Sequence, residues 1–390
     1  MGTRFHLSSK GLFMFQKNSV ATKIAGVGVA LATALSLTAC GGSESASGGR
    51  EVGTTVEEMK ELAQDEPNVR LMAYPKTWAN YEGHFEEFTK EYGVDVVVDS
   101  PDASSAEELQ AVQNLKGQDS QPDVLDIGYS FTNPAVQQGL VDTYKPSNFD
   151  EIPDEFKDPD GKWVAAYYGV IEIGVDANRV KDVPKTLKDL LDPKYKGQIA
   201  LPGDPRQGAS SIASVFAASL ANGGSLDDIE PGIDFFQQLA ESGNLVSISD
   251  PAAALTTGEA AIVLDWNYNW AGVEEQLKKD GVNLQRVVPT DGVFGNFYAQ
   301  PVTIDAQRPN SARLWVEWLN SDEGAEQYAL GAAIPTRFTQ LAEEGKLSQE
   351  ALDRLPDPET LESVQIPSVE QGDKANQVIA SEWAQRVQVR

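Results

Sequence analysis

The chain has a single cysteine, Cys40, in 390 residues. One thiol cannot close an intramolecular disulfide, so the fold must be held by its core. Histidine is nearly as scarce: of His6 and His84, only the second lies beyond residue 39. A histidine metal cluster or a Ser-His-Asp triad would rest on that one side chain. No G-x-S-x-G, no metal-ligand spacing and no phosphate-binding glycine loop occurs either. Positive charge is in deficit, with 31 Lys and Arg against 59 Asp and Glu, a net charge of -28. So acidic a chain disfavours nucleic acid and anionic lipid as partners; its charge keeps it in solution. A long apolar run is missing too: Ile24 to Leu37 is fourteen residues, short of the ~20 that span a bilayer.

What is present begins at that run. A basic head carrying Lys17 and Lys23 precedes it, and small residues follow, the pattern of a bacterial signal peptide. Leu37-Thr38-Ala39-Cys40 resembles the lipobox of bacterial lipoproteins. That resemblance implies cleavage before Cys40, lipidation of its thiol, and a protein held at the extracytoplasmic face of the cell membrane. The alternative is a lone buried cysteine after an ordinary signal or a short membrane helix. Met14 is a second candidate start, because residues 1–13 add nothing to a signal peptide. Removing residues 1–39 takes away four basic residues and no acid, so the net charge becomes -32 over 351 residues. Residues 41–50, GGSESASGGR, have the composition of a flexible tether, and the anchor with its tether is taken as 40–66.

Beyond the tether, strands and helices alternate. Val69–Tyr74 reads as a strand, Tyr81–Tyr92 as a helix, Val94–Val98 as a buried strand, Ala106–Leu115 as a helix and Asp123–Gly128 as a third strand. Such alternation predicts a parallel sheet with covering helices. Ligands of such sheets sit at the carboxyl ends of strands, which places Trp78, Tyr129 and Ser130 at one rim. The extended run Trp163–Val175 is long enough to leave one lobe and enter another. Further on, a strand at Gln198–Leu201 precedes a helix starting at Asp204. Ala260–Leu264 is a buried strand with Asp265–Trp270 just past its end.

Three spaced segments carry a second resemblance. LLDPKYKGQIAL (Leu190–Leu201), YYGVIEIGVDANRV (Tyr167–Val180) and LWVEWLNSDEGAEQYALGAAIPTR (Leu314–Arg337) are similar to segments of ABC-importer solute-binding proteins. The similarity is to the class that takes ferric iron, polyamines, phosphonates and thiamine, and it covers roughly residues 67–340. It implies an α/β fold of the type II periplasmic-binding-protein kind, with two lobes, two crossing hinge strands and a central ligand cleft. One lobe would be 67–166 plus 297–340, the other 167–296, with 341–390 a helical segment packed on the first. It further implies a monomeric receptor that closes on a small-molecule solute and delivers it to a membrane permease, without a cofactor or resident metal.

Asp265-Trp266-Asn267-Tyr268-Asn269-Trp270 is the most informative cluster for the ligand. Aromatic faces with a carboxylate among them suit an organic ammonium ion, the rings attracting the cation and the acid supplying counter-charge. One or more of those rings is expected in the core of the second lobe instead. Trp78 and Tyr129 would form the opposite wall, with Trp78 equally able to cap the first helix. At the crossings only one of Tyr167 and Tyr168, and one of Phe297 and Tyr298, can face the cleft; Tyr168 and Tyr298 are the candidates. Arg206, with Ser210 and Ser211, offers an anion site at a helix start, against the simpler reading of an Asp204 cap and an Arg206 ion pair. The favoured solute is a polyamine or other organic cation, with a phosphonate, an aminoalkylphosphonate or ferric iron as alternatives. The ferric-binding class carries adjacent tyrosines where this chain has only Tyr268. A secreted hydrolytic enzyme is the competing class, and no motif supports it.

Overall fold

A computed structural model describes residues 50–389. The signal segment, the lipobox with Cys40 and residues 41–49 of the expected tether lie outside the described residues, and the rest of that tether holds a helix. The first βα layer follows local rules. Helix α1 (Val56–Ala63) is capped by Thr55, whose side chain accepts from the Glu58 N–H. Strands β1 (Val69–Met72) and β2 (Val96–Asp99) pair in parallel, Val69 opposite Val96, with α2 (Tyr81–Tyr92) between them. Helix α3 (Ser105–Leu115) opens on a capping box formed by Ser104 and Glu107. Strand β3 (Ile127–Gly128), a 3-10 turn at Tyr129–Phe131 and α4 (Thr132–Gln137) complete this part.

The third strand is shorter than the predicted 123–128. Only Ile127 and Gly128 join a ladder, while Val124 makes single bridges to Leu71 and Val302. The Leu125 N–H reaches the Pro301 carbonyl at 3.3 Å, but a proline has no N–H to return, so regular pairing stops there.

Strand β4 (Tyr167–Asp176) is buried along its whole length. After it come β5 (Ile199–Ala200), α5 (Ala209–Ala221), α6 (Glu230–Ser242), β6 (Leu245–Val246), α7 (Pro251–Thr257), β7 (Ile262–Trp266), α8 (Asn267–Lys279) and β8 (Leu284–Val287). The chain returns through β9 (Gly295–Ala299), α9 (Pro309–Asn320), α10 (Asp322–Leu330) and β10 (Ile334–Pro335). It ends in α11 (Phe338–Glu343), α12 (Gln349–Leu352), α13 (Pro358–Glu362) and α14 (Val369–Arg386). The larger sheet runs β3-β9-β4-β7-β5-β6, with β8 and β10 also on β4.

That order makes β4 the crossing strand of a two-lobed α/β fold. Its first residues, Tyr167–Val170, pair with β9, and Tyr167 and Tyr168 also with β10. From Ile171 onward it pairs with β7, and from Ile173 with β8. A strand covered on both faces reads as a nearly continuous run of apolar and small residues, interrupted here only by the buried acids Glu172 and Asp176. The last helix, α14, reaches two separate regions. Asp373 accepts from Asn133 at 3.1 Å, while Trp383 packs on Phe236 of α6 and Arg386 pairs with Asp234. The C-terminal segment therefore rests on α6 as well as on the part around residues 129–133.

Candidate functional site

Segments that follow β1, β2, β5 and β6, together with the end of β7 and the start of α8, border a cavity of about 450 Å³. Its walls include Trp78, Asp102, Asp250, Asp265, Asn269 and Trp270. Among the lining residues there are three carboxylates and no lysine, arginine or histidine. The loops are held under strain: Ala73, Ala79, Asn80 and Ser100 all have positive φ, between 43° and 63°. For residues with a Cβ such backbone costs on the order of 1–3 kcal/mol each, and it collects where a site needs a fixed shape.

Asp265 is the central acid. It is the penultimate residue of β7 rather than a loop residue, and it is 5% exposed. Its Oδ1 accepts from the Trp266 N–H at 2.8 Å and from Asn269 Nδ2 at 3.0 Å. Asn269 reaches it because α8 starts immediately after the strand, which places residue 269 one turn along. The neighbouring acid Glu172, opposite Asp265 in the β4–β7 ladder, has its own counter-ion in Arg286 at 2.8 Å. Asp265 has no such partner. Burial pushes its carboxyl up to about 7, against the Trp266 and Asn269 hydrogen bonds; nearby Asp250 raises it further, and Ser210 lowers it.

Trp270 also borders the cavity, and so does Trp78 on the facing loop. The rest of the aromatic cluster lies behind them. Strand alternation turns Trp266 away from Asp265, and Trp266, 1% exposed, stacks on Tyr268 with centroids 6.0 Å apart. Tyr268 is fully buried and stacks in turn on Trp78, at 5.6 Å and 25°. Tyr298 meets the edge of Trp78 at 5.0 Å. These three form a backing layer that positions Trp78 and do not line the cavity.

The other expected residues are placed elsewhere. Tyr129 packs against Phe297, and Ser130 is buried beside it; neither lines the cavity. The adjacent tyrosines at the crossing diverge: Tyr167 donates to Asp126, and Tyr168 stacks on Phe156. Arg206 forms an ion pair with Asp204 at a second concavity, beside Leu201 and Trp383. Asp204 does not cap α5, which starts five residues later at Ala209 behind Gly208. Its carboxylate is taken by the Arg206 guanidinium and N–H. Ser210 does border the cavity.

The sequence reasoning missed Asp102, Asp250 and Asn269. A signal existed for two of them. Asp250-Pro251 is a helix-start pair, and Asp250 accepts from the Ala253 N–H. Asn269 is one helical turn past Asp265. Nothing local distinguishes Asp102 from other loop acids.

Two further buried aspartates share the shift. Burial pushes Asp126 up to about 7, although Gln300, Tyr81 and Tyr167 donate to it. Asp123 is raised to about 7 by burial in spite of Arg308. Unfolded, these groups titrate at about 3.9. A raised acid holds its proton in the fold after the unfolded chain has lost it, so stability falls as pH rises from about 4 to 7. His84, lowered by burial to about 3, acts oppositely, its contribution being lost as pH falls below 6.5. Glu108 and Glu172 are raised by burial as well, so it is one group against five. The unliganded protein is expected to melt at a higher temperature at pH 5 than at pH 8 by scanning calorimetry. A reversed order would mean that the folded protein holds these carboxylates charged.

The sequence profile of the family described as "Bacterial extracellular solute-binding protein" matches residues 119–364. An uncharacterised protein of Haemophilus influenzae is 29% identical over 203 residues, which is 49% of this chain and only 56% of that protein. The spermidine/putrescine-binding periplasmic protein 1 of the same organism is 25% identical over 331 residues, covering 80% of this chain and 85% of that one. Among solved structures, the periplasmic binding protein AfuA from Actinobacillus pleuropneumoniae, with fructose-6-phosphate bound, superposes with a TM-score of 0.65 at 21% identity. That superposition covers 83% of this chain and 99% of AfuA, and it bears on the fold alone.

Proposed function

The chain belongs to the bacterial extracellular solute-binding protein family, and from that premise we propose that it is the receptor of an ABC importer for a small organic cation. A polyamine such as putrescine or spermidine fits best. One observation carries this reading: the cavity presents three carboxylates and two tryptophans and no basic side chain. A cation replaces the missing counter-charge of Asp265, and indole faces cover its methylenes. Similarity to a relative named for spermidine and putrescine supports the same class.

A phosphonate is disfavoured, because Arg206 is engaged by Asp204 at a different concavity. Ferric iron is disfavoured as a direct ligand, because no tyrosine borders the cavity. The receptor acts by closure of lobe 67–166 plus 297–340 on lobe 167–296 about β4 and β9. It works as a lipid-anchored monomer at the extracytoplasmic membrane face, without turnover of the solute.

Titration calorimetry and thermal shift with putrescine, spermidine, aminoethylphosphonate and ferric citrate test the ligand class. A diamine or triamine is expected to bind and to raise the melting temperature, since a ligand of the folded state stabilises it by RT ln(1 + [L]/Kd). Tight phosphonate binding with no response to either amine would overturn the cation reading. For the anchor, Cys40→Ser is expected to move the protein from the membrane fraction to the medium, or to leave it unprocessed. A membrane-bound mutant together with unlipidated wild type would refute the anchor.

A further inference from the structure

We infer that Gly174, on the crossing strand and outside the cavity, sets the width of the cavity by seating Trp270. The inference rests on the cavity being the ligand site. A Cβ built at Gly174 would lie 2.5 Å from both Cε2 and Cζ2 of Trp270 and 3.0 Å from its Cδ2. The indole therefore lies directly against the strand backbone, at a distance only glycine permits.

The strand cannot retreat to admit a methyl group. Residue 174 pairs with Val263 of β7 on one side and with Arg286 of β8 on the other. Trp270 sits in the first turn of α8, tied to β7 without an intervening loop. Trp270 belongs to one buried apolar cluster with Val263, Leu255 and Leu277. Close-packed interiors yield little, whereas the cavity that Trp270 borders is empty space. A methyl group at 174 thus displaces the ring toward the cavity and narrows it.

The same strand repeats the device at its other end. A Cβ at Gly169 would lie 2.4 Å from Tyr268 Cε1, and Tyr268 stacks on Trp78 of the facing wall. Each aromatic wall thus depends on a β4 glycine: Trp270 directly, and Trp78 through Tyr268. Neither glycine borders the cavity, so both are positioning residues.

The test uses full-length protein labelled with 5-fluorotryptophan, with the Trp270 resonance assigned by its loss in Trp270→Phe. In Gly174→Ala the Trp270 ¹⁹F resonance is expected to move, while that of Trp315 in the distant core stays in place. Calorimetry with putrescine and spermidine is expected to show affinity for the larger amine falling at least fivefold more than for the smaller. The double variant Gly174→Ala with Trp270→Phe, whose smaller ring clears the methyl group, is expected to recover most of that selectivity. An unmoved Trp270 resonance, or an unchanged ratio of affinities, overturns the inference. If wild type binds neither amine, the cation reading fails while the resonance still decides whether Gly174 seats the wall. If Gly174→Ala does not fold, Gly169→Ala is read in the same way through the Trp78 resonance.

Discussion

Asp265→Asn is expected to lower affinity for putrescine or spermidine by about ten- to a hundredfold while making the empty protein more stable at alkaline pH. The side chain keeps its volume and its Oδ1, so the hydrogen bonds from the Trp266 N–H and from Asn269 can persist. What disappears is the charge. A hydrogen bond to a charged group is worth roughly 1.5–3 kcal/mol, and about 1.4 kcal/mol corresponds to one decade in Kd. The stability effect has the opposite sign. Wild type must ionise a buried carboxyl whose pKa is pushed up to about 7, and an asparagine never ionises. At pH 8 the unliganded variant is expected to melt above wild type; at pH 5, where the wild-type carboxyl holds its proton in the fold, the two should melt together. Cation affinity of wild type should also rise with pH up to about 7, because a bound ammonium ion competes with that proton. Calorimetry at pH 5, 6, 7 and 8 measures both effects. Unchanged affinity in the variant would make Asp265 a structural residue whatever the ligand.

Arg308→Ala is expected to cost about 3–5 kcal/mol of stability, the range for breaking a buried ion pair by removing one partner. Arg308 is 2% exposed and meets Asp123 at 3.3 Å and Asp119 at 2.6 Å. Asp123 is fully buried and also accepts the N–H groups of Arg70, Gln307 and Arg308. This carboxylate therefore joins β1 to the start of α9, two segments far apart in sequence, and Arg308 supplies its counter-charge. Domains are stable by about 5–15 kcal/mol, so the loss should appear as a large drop in urea midpoint. The deficit should shrink at pH 5, where a protonated Asp123 needs no counter-ion. A deficit equal at pH 5 and pH 8 would show that lost packing, not charge, causes it.

The two-lobed α/β architecture was legible because it is written in local patterns. Apolar runs of strand length, amphipathic helices and a ten-residue buried strand each announce themselves over short windows, as α2, α3 and β4 do. Asp265, Trp270 and Trp78 were also accessible to sequence reasoning, because residues at the carboxyl end of a strand in such a sheet have a known place. The roles of Trp266 and Tyr268 were not. Both lie in the same six-residue cluster, but β7 extends two residues further than expected and α8 begins at once. Period 2 turns Trp266 away, and the start of the helix lays Tyr268 behind Trp78.

Composition and order of the chain by themselves determined that no intramolecular disulfide can form, and they pointed to the class of fold. Tertiary structure alone decided that Asp102 and Asp250, 148 residues apart, face the same space as Asp265, and that Arg206 does not. It also decided that two glycines of β4 carry the aromatic walls. The reason is physical. A fold class follows from periodicities that each segment carries within itself. A site consists of distances between segments, and those distances exist only after the strands have paired and the helices have packed.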